Sequence, residues 1–371
     1  MVLKELTLTN FKNIAEARLE FSPKVNCLVG NNGMGKSNLL DAIHYLSLCR
    51  SFTGAADRML VRRGESFAMA RALYDRRGTE EEITLGMAPG RRKSLKRGGK
   101  EYRRLTEHIG LFPLVMVSPA DADLVRGAGE ERRRWMDMVI SQADPIYLDA
   151  LMRYNAALEQ RNRMLRDHIV DHTLYEVVEL TLCAAGEMVA QRRAEWIARL
   201  TEIFSRHYTA VAGEDEQVSL TYDSPLAAGA PMQPMLDSAR RHDEIVGHTS
   251  VGPHRDDIAM TLSEMPVRRT ASQGQCKTFT VALRLAQYEF LHQTTGLRPM
   301  LLLDDVFDKL DARRVERIME MVANGSEFGQ IFLTDTNRTH LDSIIERTAG
   351  SHRMWTVADG TFTLSDEKKI S

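Results

Sequence analysis

Residues 25–37, VNCLVGNNGMGKS, decide the fold of this chain. An apolar run from Val25 to Val29 predicts a buried strand, and apolar side chains at helical spacing in residues 38–49 predict a helix. The turn between them, from Gly30 to Ser37, fits the pattern G-x4-G-K-[ST] in the context that this pattern requires. The stretch therefore predicts an α/β fold with a phosphate-binding loop.

The loop supplies three kinds of group for a nucleotide. Its glycines let backbone N–H groups and the helix N-terminus face the phosphates. Lys36 neutralises phosphate charge in a catalytic role, and the Ser37 hydroxyl is a ligand for Mg²⁺. An ordinary glycine-rich turn is the alternative, but Lys-Ser at this offset after an apolar strand is hard to obtain by chance. The predicted nucleotide-binding residues here are Gly30, Asn31, Asn32, Gly33, Met34, Gly35, Lys36 and Ser37.

A second apolar strand, residues 300–303, ends in two carboxylates, Asp304 and Asp305. Such a strand is typical of a Walker B element, in which Asp304 would hold Mg²⁺ and Asp305 would be the catalytic residue that orients the attacking water. A simpler alternative is that the two aspartates cap the following helix. The phosphate-binding loop favours the metal and catalytic roles.

Residues 271–277, ASQGQCK, open another predicted helix. Ser272, Gly274 and Gln275 offer a hydroxyl, a mobile backbone and a positive helix end, which suits a γ-phosphate approached from another subunit. Taken alone, Ser272 is explained equally well as a helix N-cap. The other two motifs lead us to predict these three residues as nucleotide-binding.

Together these motifs resemble a known family. Ser-Gln-Gly-Gln at 272–275, Leu-Leu-Leu-Asp-Asp at 301–305 and Leu-Thr-Asn-Phe-Lys-Asn-Ile at 8–14 are similar to ABC-type ATPases of the SMC/Rad50 class. Three further stretches resemble the RecF family of bacterial recombination and repair proteins, namely 118–134, 155–163 and Gly-Pro-His-Arg-Asp-Asp at 252–257. The resemblance covers essentially the whole chain, although true SMC and Rad50 proteins have a far longer arm.

The resemblance implies an ABC-type P-loop ATPase head with an inserted α-helical arm domain. It also implies a homodimer that closes around two ATP molecules with Mg²⁺. Lys36 and Ser37 of one subunit would hold the phosphates, and residues 272–275 of the other would complete each site. Asp308 to Asp311 matches the D-loop, which crosses the dimer interface in this family. Because Asp305 stands where many ABC ATPases have Glu, and 334–337 (TDTN) replaces the switch histidine, slow hydrolysis is expected.

The function implied by the resemblance is ATP-dependent DNA binding at gaps or single-strand to double-strand junctions. It would serve recombinational repair, replication restart and the SOS response, together with mediator proteins of the RecR and RecO type. We expect a weak, DNA-stimulated ATPase in the cytoplasm that uses hydrolysis as a switch and has no nuclease activity. One alternative is an OLD-like ATPase nuclease, for which His254, Asp256 and Asp257 are thin evidence. The other is a small SMC-like chromosome-organising protein.

The whole-chain charge argues against a generic nucleic-acid binder, since 49 Lys and Arg face 51 Asp and Glu. The cations are nevertheless concentrated in residues 91–104, RRKSLKRGGKEYRR, which carry eight cations and one anion around a Gly-Gly turn. Such a basic turn can follow a phosphate backbone, although a solvated hairpin without a partner is the alternative. Three arginines at 132–134 could bind DNA or pair internally. The predicted DNA-binding residues are Arg91, Arg92, Lys93, Lys96, Arg97 and Lys100.

The rest of the chain mixes strands and helices at both ends and is helical in the middle. Residues 146–212 contain no Pro and one Gly, which predicts two or three long helices, whereas 213–245 looks like a loop. We predict one α/β sheet from both chain ends, with the ATPase domain at 1–125 and 246–371 and a helical insertion at 126–245.

No apolar run is long enough to span a bilayer, and four distant cysteines predict neither disulfides nor a metal cluster. Other expected elements are strands in the first thirty residues, a β-rich stretch at 66–117, helices at 274–294 and 311–323, and a strand at 331–334.

Overall fold

The computed structural model describes residues 1–213, 216–306, 315–317, 320, 328–347 and 350–368. They form two compact units. The first contains Met1–Asp121, Ala210–Ala212 and Val281–Ser371, and the second contains Ala122–Thr209 and Gly213–Thr280. Residues 246–280 thus belong to the second unit, and the predicted domain limits at 126–245 remain a proposal. No helix in the described ranges is long and apolar enough to cross a membrane.

The strands and α-helices of the described residues have the following bounds. The strands are β1 (Val2–Phe11), β2 (Ile14–Glu20), β3 (Val25–Val29), β4 (Ala68–Arg76), β5 (Thr79–Met87), β6 (Ser94–Arg97), β7 (Lys100–Glu101), β8 (Leu114–Val117), β9 (Val218–Asp223), β10 (Asp257–Leu262), β11 (Met265–Pro266), β12 (Met300–Asp304), β13 (Ile331–Asp335), β14 (His352–Ala358) and β15 (Thr361–Lys368). The α-helices are α1 (Lys36–Leu48), α2 (Ala122–Arg126), α3 (Gly129–Ala143), α4 (Pro145–Arg166), α5 (His172–Ala212), α6 (Met232–Val246), α7 (Val267–Thr270), α8 (Gln273–Thr295) and α9 (Arg338–Arg347).

The first unit contains a six-stranded sheet in the order β15-β14-β3-β13-β12-β8. Its strands pair in parallel from β14 to β8, and β15 pairs antiparallel with β14. β3, β12 and β13 are buried along their whole length, as in sheets covered on both faces. Because parallel strands end at one edge, Gly30, Asp304 and Asp335 come together there. The predicted α/β sheet built from both chain ends is confirmed.

A second six-stranded sheet of the same unit is antiparallel, in the order β2-β1-β4-β5-β6-β7. Its last two strands form a hairpin whose turn residues, Gly98 and Gly99, both have positive φ angles of 55° and 77°. A tight two-residue hairpin turn requires left-handed backbone at both positions, which explains the Gly-Gly pair. We call residues 93–101 the basic hairpin.

The second unit is mainly helical. Asp144 and Asp171 cap the starts of α4 and α5 by accepting hydrogen bonds from backbone N–H groups, and α5 then runs for 41 residues. β9, β10 and β11 form a small antiparallel sheet in the same unit. Arg161 of α4 is fully buried and pairs with Glu179 and Asp243. The predicted long helices are confirmed.

The prediction of a loop at 213–245 is wrong, because this stretch contains β9 and most of α6. Its prolines are misleading, since Pro231 is the N-cap residue of α6 and Pro234 lies in its first turn. Backbone N–H groups have no helical acceptor at these positions, so proline is tolerated there. The helix α9 is also present in the structure but was not predicted from the sequence. The predicted helix at 311–323 lies largely outside the described residues, although 315–317 and 320 are helical.

Candidate functional site

The phosphate-binding loop joins β3 to α1, and the backbone geometry explains why glycine occupies several of its positions. Gly33 and Gly35 have φ angles of 80° and 116°, which favour glycine. A Cβ at Gly30 would lie 2.3 Å from the Val357 carbonyl oxygen. Gly35 is also the N-cap residue of α1, and it has no side chain to occupy the first N–H groups of the helix. The loop is therefore shaped to present backbone N–H groups to an anion.

Lys36 lies inside this loop. Its side chain is held by two carbonyl oxygens of the loop, with Nζ donating to Gly30 O at 2.6 Å and to Asn31 O at 3.0 Å. The residue is only 4% exposed and forms no ion pair with any residue in the described part of the chain. The two carbonyl oxygens thus fix the position of the Lys36 ammonium group within the loop.

Ser37 and Asp304 meet at the edge of the parallel sheet. The Ser37 hydroxyl donates to Asp304 Oδ1 at 2.8 Å, and the Thr334 hydroxyl donates to the same oxygen at 2.7 Å. Burial raises the pKa of Asp304, and the two hydroxyl bonds and Lys36 act in the opposite direction. A carboxylate and a hydroxyl in contact beside the loop are the oxygen ligands that Mg²⁺ prefers, so these residues fit the predicted metal site.

Asp305 follows directly in an unusual conformation. Its φ angle is 46°, in the left-handed region, and its backbone N–H donates to the Thr334 hydroxyl at 3.0 Å. Non-glycine residues in this region are often found at functional sites, where the surroundings stabilise them. Thr334 therefore contacts both Walker B aspartates at the position where the family was expected to have a switch histidine. From the sequence, Thr334 was recognised only as the end of an apolar strand and as the first residue in place of the switch histidine, without a role of its own.

Four further residues support the loop and were not predicted as site residues. Asn38 Nδ2 donates to Asn13 Oδ1 at 2.7 Å, and a Cβ at Gly35 would lie 3.0 Å from that same oxygen. Lys12 forms a 2.6 Å ion pair with Asp41, whose carboxylate is fully buried on α1. Lys12 and Asn13 belong to the stretch 8–14 that resembles the family. The sequence therefore pointed to this stretch but did not indicate what its residues do.

Ser272, Gly274 and Gln275 begin α8 in the second unit, whereas the phosphate-binding loop belongs to the first. The Ser272 N–H donates to Gln275 Oε1 at 2.9 Å, and the Gln275 N–H donates to Ser272 Oγ at 3.1 Å. This reciprocal pair is a capping box, so the N-cap interpretation describes the geometry seen. Gln275 Nε2 also donates to Glu216 Oε1 at 2.8 Å. Nucleotide binding by these residues remains a prediction, and the D-loop at 308–311 lies outside the described residues.

The basic segment divides into two groups. Lys93 is turned inward and pairs with Asp57 at 3.1 Å, so we remove it from the predicted DNA surface because its charge is compensated. Arg97 pairs with Glu81 at 2.8 Å but is still 41% exposed. The remaining four residues are exposed and form no ion pair with a residue in the described ranges; they are Arg91, Arg92, Lys96 and Lys100.

The three arginines at 132–134 all bind within the protein. Arg132 forms a two-pronged pair with Asp257 at 2.6 Å and 2.8 Å, and Arg133 donates to the Asp256 carbonyl at 2.7 Å. Arg134 pairs with Glu130 and Glu131 on its own helix. Of the two alternatives for this cluster, internal pairing is the one observed.

His254 also has structural partners. Its Nδ1 lies 2.6 Å from the Tyr154 hydroxyl and its Nε2 lies 2.9 Å from the Thr249 carbonyl oxygen. Burial lowers the pKa of His254 to about 4, so the ring is neutral near pH 7. In the described ranges, no three His, Cys, Asp or Glu side chains gather as a metal cluster, and all four cysteines are free thiols. These contacts give no support to a nuclease site at 254–257.

Comparison with known proteins gives a consistent result. Residues 2–354 match the family described as RecF/RecN/SMC N terminal domain. The chain is 49% identical to the DNA replication and repair protein RecF of Parabacteroides distasonis over 93% of this chain and 94% of that one. It is 46% identical to RecF of Bacteroides fragilis over the full length of both.

Solved structures show the same likeness. The recombination mediator protein RecF in its ATP form, from the RecFOR pathway, superposes with a TM-score of 0.87 at 29% identity, covering 98% of this chain and 99% of that one. An Smc head bound to the C-winged helix domain of ScpA has a TM-score of 0.60 at 15% identity, covering 100% and 98%. The second likeness concerns the fold alone.

Proposed function

This chain belongs to the RecF/RecN/SMC family as an ATP-binding ATPase of DNA replication and repair, and on that premise we propose that it is an ATP-controlled DNA clamp. ATP would bring two copies together, and the dimer would hold gapped or junction DNA. Slow hydrolysis, stimulated by DNA, would release it. The observation that carries this proposal is the contact of Ser37 and Thr334 with one oxygen of Asp304 beside the phosphate-binding loop.

Each loop residue has a defined task in this scheme. The backbone N–H groups at the start of α1 bind phosphate oxygens, and Lys36 neutralises their charge. Bound Mg²⁺ supplies charge neutralisation across the phosphates, and Ser37 and Asp304 are the residues that would hold it. Asp305 orients the water that attacks the γ-phosphate. The shorter side chain of Asp relative to Glu supports slow turnover.

Dimerisation is proposed because the family resemblance implies that residues 272–275 of one copy complete the nucleotide site on the phosphate-binding loop of the other. The phosphate-binding loop lies in the first unit and Ser272, Gly274 and Gln275 lie in the second. The N-terminus of α8 is a second helix end suited to an anion. In the proposed dimer, the α8 end of one copy would face the γ-phosphate held by the other.

The proposed DNA surface consists of Arg91, Arg92, Lys96 and Lys100, with Arg97 at its margin. Exposed cations without a carboxylate partner are the groups expected to bind phosphates, independently of base sequence. Two basic hairpins in a closed dimer would double this surface. We propose that the clamp acts in the cytoplasm with mediator proteins of the RecR and RecO type, in replication restart and the SOS response.

The test is DNA binding by the purified protein. Gapped, single-stranded and duplex DNA are titrated with and without ATPγS at two salt concentrations. We expect ATPγS to increase the affinity for gapped DNA more than the affinity for single-stranded or duplex DNA. The affinity should fall steeply as the salt concentration rises. Equal binding with and without nucleotide would contradict the clamp.

A further inference from the structure

Lys93 stands at the base of the basic hairpin, and its ammonium group contacts α1. Nζ donates to the Cys49 carbonyl oxygen at 2.7 Å and to the Tyr45 hydroxyl at 2.7 Å, and it pairs with Asp57 at 3.1 Å. The Tyr45 hydroxyl in turn donates to Asp57 Oδ1 at 2.5 Å. The Lys93 side chain is 19% exposed, so this arrangement holds the cation inside the protein.

A second anchor follows the hairpin in sequence. His108 is fully buried, and its Nε2 donates to the Leu46 carbonyl oxygen at 2.7 Å. Burial lowers the pKa of His108 to about 4, so the neutral ring donates from Nε2 and can accept at Nδ1, where the Tyr102 hydroxyl lies at 3.2 Å. The basic hairpin is thus tied to α1 on both sides.

Both anchors meet the same part of α1. Leu46 and Cys49 supply carbonyl oxygens at the C-terminal end of the helix, which carries its negative dipole. The other end of α1 begins at Lys36 in the phosphate-binding loop. A helix of 13 residues is about 20 Å long and moves as a rigid rod on this scale. The hairpin and the loop are therefore at opposite ends of one rigid element.

We propose that Lys93 is a positioning residue that couples DNA contact at the basic hairpin to the phosphate-binding loop through α1. The inference rests on the proposed function, since it requires ATP-dependent DNA binding. Lys93 itself touches neither ligand. When Lys96 and Lys100 bind phosphates, any displacement of the hairpin is transmitted through the Lys93 ammonium to the Cys49 carbonyl and along α1.

Coupling of this kind has a thermodynamic signature. If ATPγS tightens DNA binding by some factor, DNA must tighten ATPγS binding by the same factor. Factors of about 5-fold to 150-fold are typical of coupled sites. Removal of the connection brings the factor toward one and leaves each separate affinity in place. A residue that only stabilises the fold would not produce this pattern.

The experiment measures DNA affinity with and without ATPγS, and ATPγS affinity with and without DNA, in the full chain and its Lys93→Met variant. We expect the coupling factor of the variant to fall within about twofold of one, whereas DNA affinity without nucleotide and nucleotide affinity without DNA change by less than about twofold. Lys93→Arg retains a donor for the Cys49 carbonyl and should restore part of the factor.

The matched control is Arg71→Met. Arg71 pairs with Glu82 across β4 and β5 of the same antiparallel sheet and is 56% exposed. It is not among the residues that contact α1 in the anchors described above, so its loss should leave the coupling factor unchanged. Tyr45→Phe, which removes one Lys93 partner with little change in volume, should lower the factor by less than Lys93→Met does. Its value keeps the test decisive if Lys93→Met unfolds.

The outcomes separate the two proposals. A wild-type protein whose DNA affinity ignores ATPγS contradicts the proposed function itself. A coupled wild-type protein whose Lys93→Met variant, or a folded Tyr45→Phe variant in its place, remains fully coupled overturns the role of Lys93. A factor reduced equally in Arg71→Met also overturns it, because the effect would then come from general weakening of the sheet.

Discussion

Lys36 in the phosphate-binding loop and Lys93 in the basic hairpin are both largely buried and both donate to backbone carbonyl oxygens, yet they have different roles. Lys36 has no carboxylate partner among the described residues, whereas Lys93 pairs with Asp57 at 3.1 Å. A buried cation costs free energy unless an anion compensates it. In the proposed function, Lys36, which forms no ion pair with a described residue, is the cation that meets a ligand, whereas the paired Lys93 holds two parts of the protein together.

The sharpest way to test this comparison is to remove each ammonium group in turn. We expect Lys36→Met to weaken ATP binding by about 100-fold or more, because a charge-assisted contact with phosphate contributes about 3 kcal/mol. Lys93→Met should leave ATP affinity within about twofold in the absence of DNA. Isothermal titration with ATPγS measures both, and similar losses in the two variants would show that the comparison is mistaken.

The basic hairpin also contains both kinds of cation, since Lys93 has a carboxylate partner whereas Lys96 and Lys100 form no ion pair with a described residue. Lys96 and Lys100 are exposed, and replacing both with glutamine should weaken duplex binding at low salt. It should also reduce the slope of log affinity against log salt by about 1.8, since each phosphate contact contributes about 0.9. The control is Arg134→Gln, whose side chain pairs with Glu130 and Glu131 and should leave the slope unchanged.

The smallest expected effect is on the pH dependence of stability. It comes from His108, which anchors the hairpin and lies outside the phosphate-binding loop. Its pKa in the folded protein is about 4, below the ordinary value of 6.5, so the unfolded chain binds the proton more readily. The stability is therefore complete above pH 6.5 and falls as the pH drops toward 4, by roughly 1.4 kcal/mol per pH unit. Thermal unfolding at pH 7.0 and 5.5 measures this.

His108→Gln supplies the comparison for that measurement. Glutamine can donate to the Leu46 carbonyl but does not titrate, so the variant should lose less stability than the wild-type protein between pH 7.0 and 5.5. His44 and His254 also have pKa values lowered to about 4 by burial, and their share of the pH dependence should remain. An identical pH response in variant and wild type would exclude the assigned role of His108.

The nucleotide loop could be predicted from sequence because its function depends on backbone geometry that glycines and Lys-Ser encode locally. The two aspartates after β12 could be placed for a similar reason, since parallel strands end at one edge. Thr334 could not, because its role depends on β13 lying beside β12, which is a matter of topology. Its hydroxyl gives no sequence signal of its own.

Charge counting predicted less well than loop geometry. The segment 91–104 gave the right hairpin but misassigned Lys93, because the partner of a cation depends on residues distant in sequence, here Asp57. Arg132 likewise pairs with Asp257, which is distant in sequence, whereas Arg134 pairs with Glu130 and Glu131 on its own helix. The prediction of a loop at 213–245 failed because the sequence alone does not distinguish a proline at the start of a helix from a proline in a loop. Local patterns predict local structure, and partners come from the fold.

We propose that each ATP site is shared between two copies, and a mixing experiment tests this sharing most directly. Lys36→Met removes the phosphate-binding lysine and Ser272→Arg blocks the proposed partner surface, so neither variant alone should hydrolyse ATP. A mixed dimer would contain one intact site, built from the loop of the Ser272→Arg copy and the α8 start of the Lys36→Met copy. We predict that mixing the two inactive variants restores ATP hydrolysis. A mixture that stays inactive, or full turnover by Ser272→Arg alone, would contradict the shared site.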